Sequence, residues 1–362
     1  MGFLGRIFSP SHLAVSGRRN RCSAAAIALI ASGALVFSAC AGPNQGGGSK
    51  DLPLAKGSRT AVLPNNDPDV IIDNPVQNLP VTVDSADGEE VKVEDASRII
   101  GIDRPGTITR IVYALGLGDK LVGRDKTADF PAAQNIPLVT TKAHVLNAEK
   151  IIAARPSVVI VDYSVGPGAV IHQLRDIGIP VVYIDAERSI SLIPKVINQV
   201  GHALGVKQEQ IDKVVKSTQS EAKQAIKRAQ AMSDHRRIAV LVIRGTNVAF
   251  IGGPGSGADE LVEALGGVDV GKDAGLTQDF TPMTPEAMVK AAPDTVIVMS
   301  DGMKSAGGVD GIVSAPGMAQ TPAGKNRSVV DILDSALFSF GPGVGDLINA
   351  LADALYGKPQ KK

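Results

Sequence analysis

The chain has 362 residues, 44% of them apolar, which allows about two domains with hydrophobic cores of their own. Lysine plus arginine and aspartate plus glutamate number 37 each, so no bulk field favours nucleic acid or an acidic partner. Aromatic residues make up 3% and tryptophan is absent, which disfavours stacking surfaces for single-stranded nucleic acid or sugars.

A basic start (Arg6, Arg18, Arg19, Arg21) leads into an apolar run from Ser23 to Ser38. That run falls short of the ~20 residues of a membrane span and ends on small residues, the layout of an export signal. Phe37-Ser38-Ala39-Cys40 resembles a bacterial lipobox, which implies cleavage before Cys40 and lipidation of its thiol. Cys22 is the only other cysteine and would leave with the signal, so neither a disulfide nor a cysteine-based metal site is expected after export. Residues 1–40 therefore read as a lipoprotein signal and 41–80 as a flexible tether and arm. The tether begins with Gly/Ser-rich Ala41 to Lys50 and continues Pro-, Asn- and Asp-rich with little periodicity.

Residues 81–190 read as a first α/β lobe. Val81-Thr82-Val83 and Val91-Lys92-Val93 alternate on either side of Asp87-Gly88, a hairpin signature. Strands are expected at 98–102, 121–123, 158–161 and 181–184, and helices at 107–117, 148–154 and 168–177. Strands spaced by helices mean βαβ units and a mostly parallel sheet. From 191 to 232 apolar residues recur every three or four positions (Ile193, Val196, Ile197, Val200, Leu204, then Ile211, Val214, Val215). This is a helical rod between lobes, with Gly205 its expected break. Residues 233–362 form the second lobe, opening on the strand Arg237 to Ile243 and closing on a helix over 346–355. The glycine run Gly252 to Gly257 lacks a Lys-Ser/Thr pair and a dinucleotide spacing, so it reads as a loop at the cleft rather than a phosphate cradle.

A repeat runs through the two lobes. Residues 144–161 align without gaps on 281–298, with Glu149 on Glu286, Pro156 on Pro293 and Val159-Ile160-Val161 on Val296-Ile297-Val298. Arg110 to Leu117 likewise matches the helix that follows Gly257. Two segments repeating in the same order point to a duplicated half. His144, which falls on Thr281, then belongs at the mouth between the copies.

These features resemble the substrate-binding lipoproteins of bacterial ABC importers, in the class for iron complexes, haem and cobalamin. The markers are Arg98-Ile99-Ile100, Ala114 to Gly123, Glu149 through Val161, and Gly257-Ala258-Asp259-Glu260-Leu261. Within that class the chain is similar to the haem-binding lipoproteins of actinobacterial haem uptake, through Val122-Gly123-Arg124-Asp125, His144 to Glu149, Asp162 to Gly168, and Arg244-Gly245. The resemblance implies two βαβ lobes joined by a long interlobe helix, the class III periplasmic-binding-protein architecture. It also implies haem as transported ligand, an ABC permease and ATPase as partners, a monomer, and a lipid anchor on the outer side of the membrane.

In those haem binders a first-lobe histidine and a second-lobe tyrosine hold the iron, with an arginine two residues after the tyrosine. His144 matches the histidine and Arg244 the arginine, while the tyrosine position holds Val242. Tyr163, Met283 and Met303 are the candidate substitutes, and Arg244 is also the candidate partner of a propionate. In the docking pattern of the class, Glu260 matches the second-lobe acid and Arg110 stands where the first-lobe acid belongs. No histidine pair has metal-site spacing, and no nucleophile, reactive cysteine or carboxylate pair suggests an enzyme. A ferric-siderophore or corrinoid carrier is the alternative ligand assignment. A surface enzyme or assembly factor reusing the fold is the alternative from another class.

Overall fold

The computed structural model describes residues 56–357 except 142–143, 186, 188 and 246–247; Cys40 and the expected signal lie outside the described residues. The first strand, β1 (Arg59–Thr60), belongs to the arm. The hairpin β2 (Val81–Asp84) and β3 (Glu90–Val93) pairs antiparallel across Asp87-Gly88, with Gly88 at φ 86. The first-lobe sheet follows: β4 (Ile99–Ile102), β5 (Leu121–Gly123), β6 (Val158–Val161) and β7 (Val181–Tyr183), in order β5-β4-β6-β7 with every pair parallel. Helices α1 (Thr107–Ala114), α2 (Ala148–Ala153) and α3 (Gly168–Asp176) connect them.

These strands are unbroken apolar runs because both faces of the sheet are covered. Alternation sorts the faces: Ile99, Val158 and Ile160 join the core under α1, whereas Ile100, Ile102, Val159 and Val161 pack with Ile151, Ile171 and Leu174 from α2 and α3.

The expected rod is two helices, α4 (Ile193–Ala203) and α5 (Gln208–Met232). Gly205, at φ 65, turns the chain between them, and a Cβ there would meet the Asn78 carbonyl at 2.8 Å. Only α5 is long; its 25 residues rise about 37 Å. It buries Ile211, Val214, Thr218, Ala222, Ala225 and Ala229, a single stripe at helical spacing.

The second lobe contains β8 (Arg237–Arg244), β9 (Val248–Gly252), α6 (Ala258–Ala264), β10 (Val268–Asp269), α7 (Val270–Asp273), β11 (Phe280–Pro282), α8 (Pro285–Ala291) and β12 (Thr295–Met299). It ends with α9 (Ser300–Ser305), α10 (Gly308–Val313), α11 (Pro322–Asn326), β13 (Val329–Ile332) and α12 (Val344–Tyr356). The sheet order is β1-β13-β12-β8-β9-β11, with β10 beside the start of β8. It is parallel from β1 to β8; β9 folds back from Arg244 as a hairpin, and β11 adds to it antiparallel. α12 packs along α5, helped by Gly345, where a Cβ would stand 3.1 Å from the Glu221 backbone.

The duplication reaches down to single hydrogen bonds. Asn147 caps α2 by accepting from the Lys150 N–H, and the aligned Thr284 caps α8 by accepting from the Ala287 N–H. Arg98, opening β4, donates to the carbonyls of Ala154 and Arg155; Arg237, opening β8, donates to that of Ala291. Arg155 (φ 45) and Ala292 (φ 43), also aligned, share the left-handed turn before proline. Helix ends leave carbonyls without partners, and each copy solves that with an arginine from the start of its own central strand.

The arm departs from expectation over residues 56–80. Far from being poorly ordered, it straps both lobes. β1 pairs parallel with β13, and Thr60 donates to Asp331 at 2.9 Å. Further on, the N–H groups of Ile71 and Ile72 donate to the Ala114 carbonyl, Asn78 to that of Gly205, and Gln77 to that of Leu204. Ala61 and Ile72 are its buried apolar anchors. Polar composition here supplies backbone and side-chain hydrogen bonds to a preformed surface in place of a core of its own. Gly116 (φ 75) permits the close approach, since a Cβ there would stand 1.8 Å from the Ile72 carbonyl oxygen.

Candidate functional site

In open parallel sheets, ligands bind in the crevice beyond the carboxyl ends of the strands. The loop after β5 carries Arg124-Asp125-Lys126 and the loop after β6 carries Asp162 to Gly168. His144 is held between them by its backbone. Its N–H donates to the Thr141 carbonyl (3.1 Å), Thr140 and Leu146 form an antiparallel bridge, and Val145 bridges Gly166. At φ 61, His144 occupies the left-handed region, uncommon for a residue with a Cβ.

The imidazole has a fixed partner. Nδ1 lies 2.8 Å from Oδ1 of Asp125, whose side chain is 1% exposed against 14% for His144. Asp125 also accepts from the Thr140 hydroxyl at 2.5 Å and from the Thr127 hydroxyl and N–H at 2.7 and 3.0 Å. Burial opposes ionisation of this carboxyl, but the hydrogen bonds from His144, Thr140 and Thr127 outweigh it and bring the pKa down to about 2. An ionised carboxylate only accepts. Nδ1 is therefore the N–H donor, and Nε2 is left for a ligand.

Across the crevice, Arg244 ends β8 and lies 3.5 Å from Asp334, just past β13, with its side chain 49% exposed. The Asp334 carboxyl is pushed up by burial, pulled down by the Asp301 N–H and by the charge of Arg244, pushed up by Asp301 and pulled down by Lys126. Lys126 belongs to the first lobe, one residue after Asp125, and its charge contributes at Asp334, where burial nevertheless keeps the carboxyl above the ordinary range. The lobes also touch where the hydroxyls of Thr107 and Ser339 stand 3.5 Å apart. Beside that junction, Phe338 meets Phe280 edge to face at 5.7 Å. Val242 is partly exposed.

The other expected site residues are placed differently. Tyr163 shares the loop that braces His144 and is 58% exposed, but its ring stacks on Tyr183 at 4.7 Å, toward the β7 edge and away from the β5 side that holds Asp125. Met283, just past β11, lines a cavity of about 400 Å³ within the second lobe together with Ile243, Phe250, Pro282 and Ile312. It is partly buried against that lobe's core. Met303 belongs to the same core cluster. A larger cavity, about 510 Å³ between the β2–β3 hairpin, β7 and α4, contains none of the candidate site residues.

Glu260 is engaged inside the chain. It accepts from the hydroxyls of Ser189 (2.5 Å) and Ser191 (3.2 Å) and from the Ser191 N–H (3.1 Å), bracing α6 against the segment that leads into α4. Arg110 is a buried pin for the arm: it donates to the Asn66 carbonyl and side chain at 3.0 and 2.7 Å and lies over the Phe130 ring at 5.0 Å. Lys126 and Asp334 escaped the sequence reading, and Asp125 entered it only as the last residue of the Val122 to Asp125 marker, without a role. The signal for Asp125 was an acid two residues past a short strand with Thr127 two residues further on, the spacing at which a carboxylate accepts from a following N–H. Among the described residues no group of three or more His, Cys, Asp or Glu side chains is placed to hold a bare metal ion.

Two like-folded lobes joined by a helix define a bilobal ligand-binding protein. The chain belongs to the periplasmic binding protein family, whose profile matches residues 106–336. It is similar to the solved haem-binding protein HmuT, at 35% identity and a TM-score of 0.79 over 84% of this chain and 98% of that one. HmuT has also been solved with a histidine, an arginine or a tyrosine replaced by alanine, the tyrosine two positions before the arginine. The periplasmic haem-binding protein RhuT from Roseiflexus sp. RS-1 is 31% identical, with a TM-score of 0.67 over 72% of this chain and 98% of its own. An uncharacterized ABC transporter substrate-binding lipoprotein of Bacillus subtilis, YvrC, is 29% identical over 77% of this chain and 86% of its length.

Proposed function

We propose that this protein captures haem in the crevice between its lobes and hands it to an ABC importer. The observation that carries this reading is His144, its Nδ1 fixed on a buried carboxylate and its Nε2 left for iron, in a chain similar to haem-binding proteins along most of its length. Imidazole is a common axial ligand of haem iron. Lys126 and the half-exposed Arg244 supply cations for the propionates, with Arg244 exchanging its 3.5 Å pairing to Asp334 for a carboxylate of the ligand. Phe280, Phe338 and Val242 offer apolar surface to the macrocycle. With valine at position 242, Tyr163 stacked on Tyr183 and Met283 partly buried against its own lobe's core, His144 holds the iron from one side.

Cys40 would anchor the chain to the membrane; among the described residues no helix is long and apolar enough to cross it. For docking to the permease, Glu260 would exchange its serine partners for a basic residue of the transporter. The ligand assignment is tested by thermal shift of the purified protein with hemin, a ferric siderophore and cobalamin in turn. Haem capture requires stabilisation by hemin that saturates at one equivalent. Stabilisation by one of the other two alone would replace the reading.

A further inference from the structure

Resting on that reading, we infer that Asp125 is a positioning residue that sets both the tautomer and the donor strength of His144, and so biases the site toward ferric over ferrous iron. The geometry has three parts. The carboxylate is 1% exposed and accepts from the hydroxyl and N–H of Thr127, the hydroxyl of Thr140 and Nδ1 of His144. Thr127 and Thr140 both follow Asp125, two and fifteen residues on, and they hold its two different oxygens, so the carboxylate cannot rotate away without breaking bonds to two separate segments. The imidazole is held by its backbone in a left-handed turn at φ 61 and by side-chain contact to Asp125.

A carboxylate that accepts from Nδ1–H makes Nε2 a better electron donor, and outer partners of this kind tune both metal affinity and ligand orientation. Ferric iron, the more charged state, gains more from the stronger donor than ferrous iron does. No proton or electron need move for this effect, which acts through the Nδ1 hydrogen bond alone.

The test uses the full-length chain, hemin as the probe, and the variants Asp125→Asn, Thr140→Val and His144→Ala. An asparagine at 125 meets Nδ1–H with a neutral amide oxygen, a weaker acceptor than the carboxylate, so Nε2 becomes the weaker donor to iron. The expected result is a 10- to 100-fold loss of hemin affinity in Asp125→Asn. A loss about tenfold larger for ferric than for ferrous haem raises the one-electron potential by about 59 mV. The iron–histidine stretch of the ferrous form, read by resonance Raman, falls as the donor weakens. Thr140→Val leaves the Asp125–His144 pair in place but takes one donor from the carboxylate, which then accepts more strongly from Nδ1–H, and it is expected to shift the potential by a smaller amount in the opposite direction. That variant keeps the inference testable should Asp125→Asn fail to fold. Wild type that binds hemin through His144, with potential and stretch unchanged in both Asp125→Asn and Thr140→Val, overturns the inference alone. Wild type that does not bind hemin overturns the functional reading on which it rests.

Discussion

Asparagine at position 125 should also change how the ligand-free protein responds to acid. The Asp125 carboxyl is pulled from its ordinary 3.8 to about 2: burial works against that, and the hydrogen bonds from His144, Thr140 and Thr127 prevail. A carboxyl whose pKa is lower folded than unfolded stabilises the fold at every pH above its unfolded value. The contribution is lost as pH falls through the folded one. The interval from 3.8 to about 2, at 1.36 kcal/mol per pH unit, corresponds to about 2 kcal/mol. Urea unfolding of wild type and Asp125→Asn, followed by far-UV circular dichroism from about pH 7 to about pH 2, measures it. Wild type should be the more stable by about 2 kcal/mol at neutral pH, and the gap should close between about pH 4 and about pH 2. A gap that stays constant down to about pH 2 would refute the electrostatic account and leave only a change of shape.

Other consequences follow from the packing. Gly116→Val places a side chain where a Cβ already meets the Ile72 carbonyl at 1.8 Å, so the arm should lift and residues 62–75 become the first site of limited proteolysis. Arg237→Ala removes two hydrogen bonds to the Ala291 carbonyl and should cost about 1–2 kcal/mol by chemical denaturation, with hemin affinity unchanged. Ile297→Ala opens a hole in the middle of the second-lobe sheet, at a side chain with no exposure, and should cost about 2–5 kcal/mol in the same assay. Tyr163→Ala should leave hemin binding within ~0.5 kcal/mol of wild type by titration, because its ring is engaged by Tyr183.

The repeat was legible because it combined strong signals: proline after a short helix, then an unbroken apolar strand, twice. Those signals mark backbone geometry, and the structure puts the aligned residues in matching places down to the caps Asn147 and Thr284. The arm was not legible, since a segment held by hydrogen bonds to a neighbour's carbonyls and by two apolar anchors, Ala61 and Ile72, carries no periodicity. Arg110 illustrates the same limit. On sequence it stands where an exposed acid was expected, whereas in three dimensions it is buried between Asn66 and Phe130. For the site, the resemblance pointed to His144 and Arg244, but their partners Asp125 and Asp334 are lone acids at strand ends. Only the fold distinguishes such acids from solvated ones. Glu260, placed by the same resemblance on a docking face, is found bracing Ser189 and Ser191.

The account turns on the imidazole of His144 binding haem iron. Titration of wild type and His144→Ala with hemin, followed at the Soret band, tests this most directly. Wild type should saturate at one equivalent with a shifted band. His144→Ala should lose more affinity than the 10- to 100-fold that removal of an outer-shell partner costs, and its band should move toward that of free hemin. An unchanged affinity and an unchanged band in His144→Ala would contradict the assignment of the iron ligand.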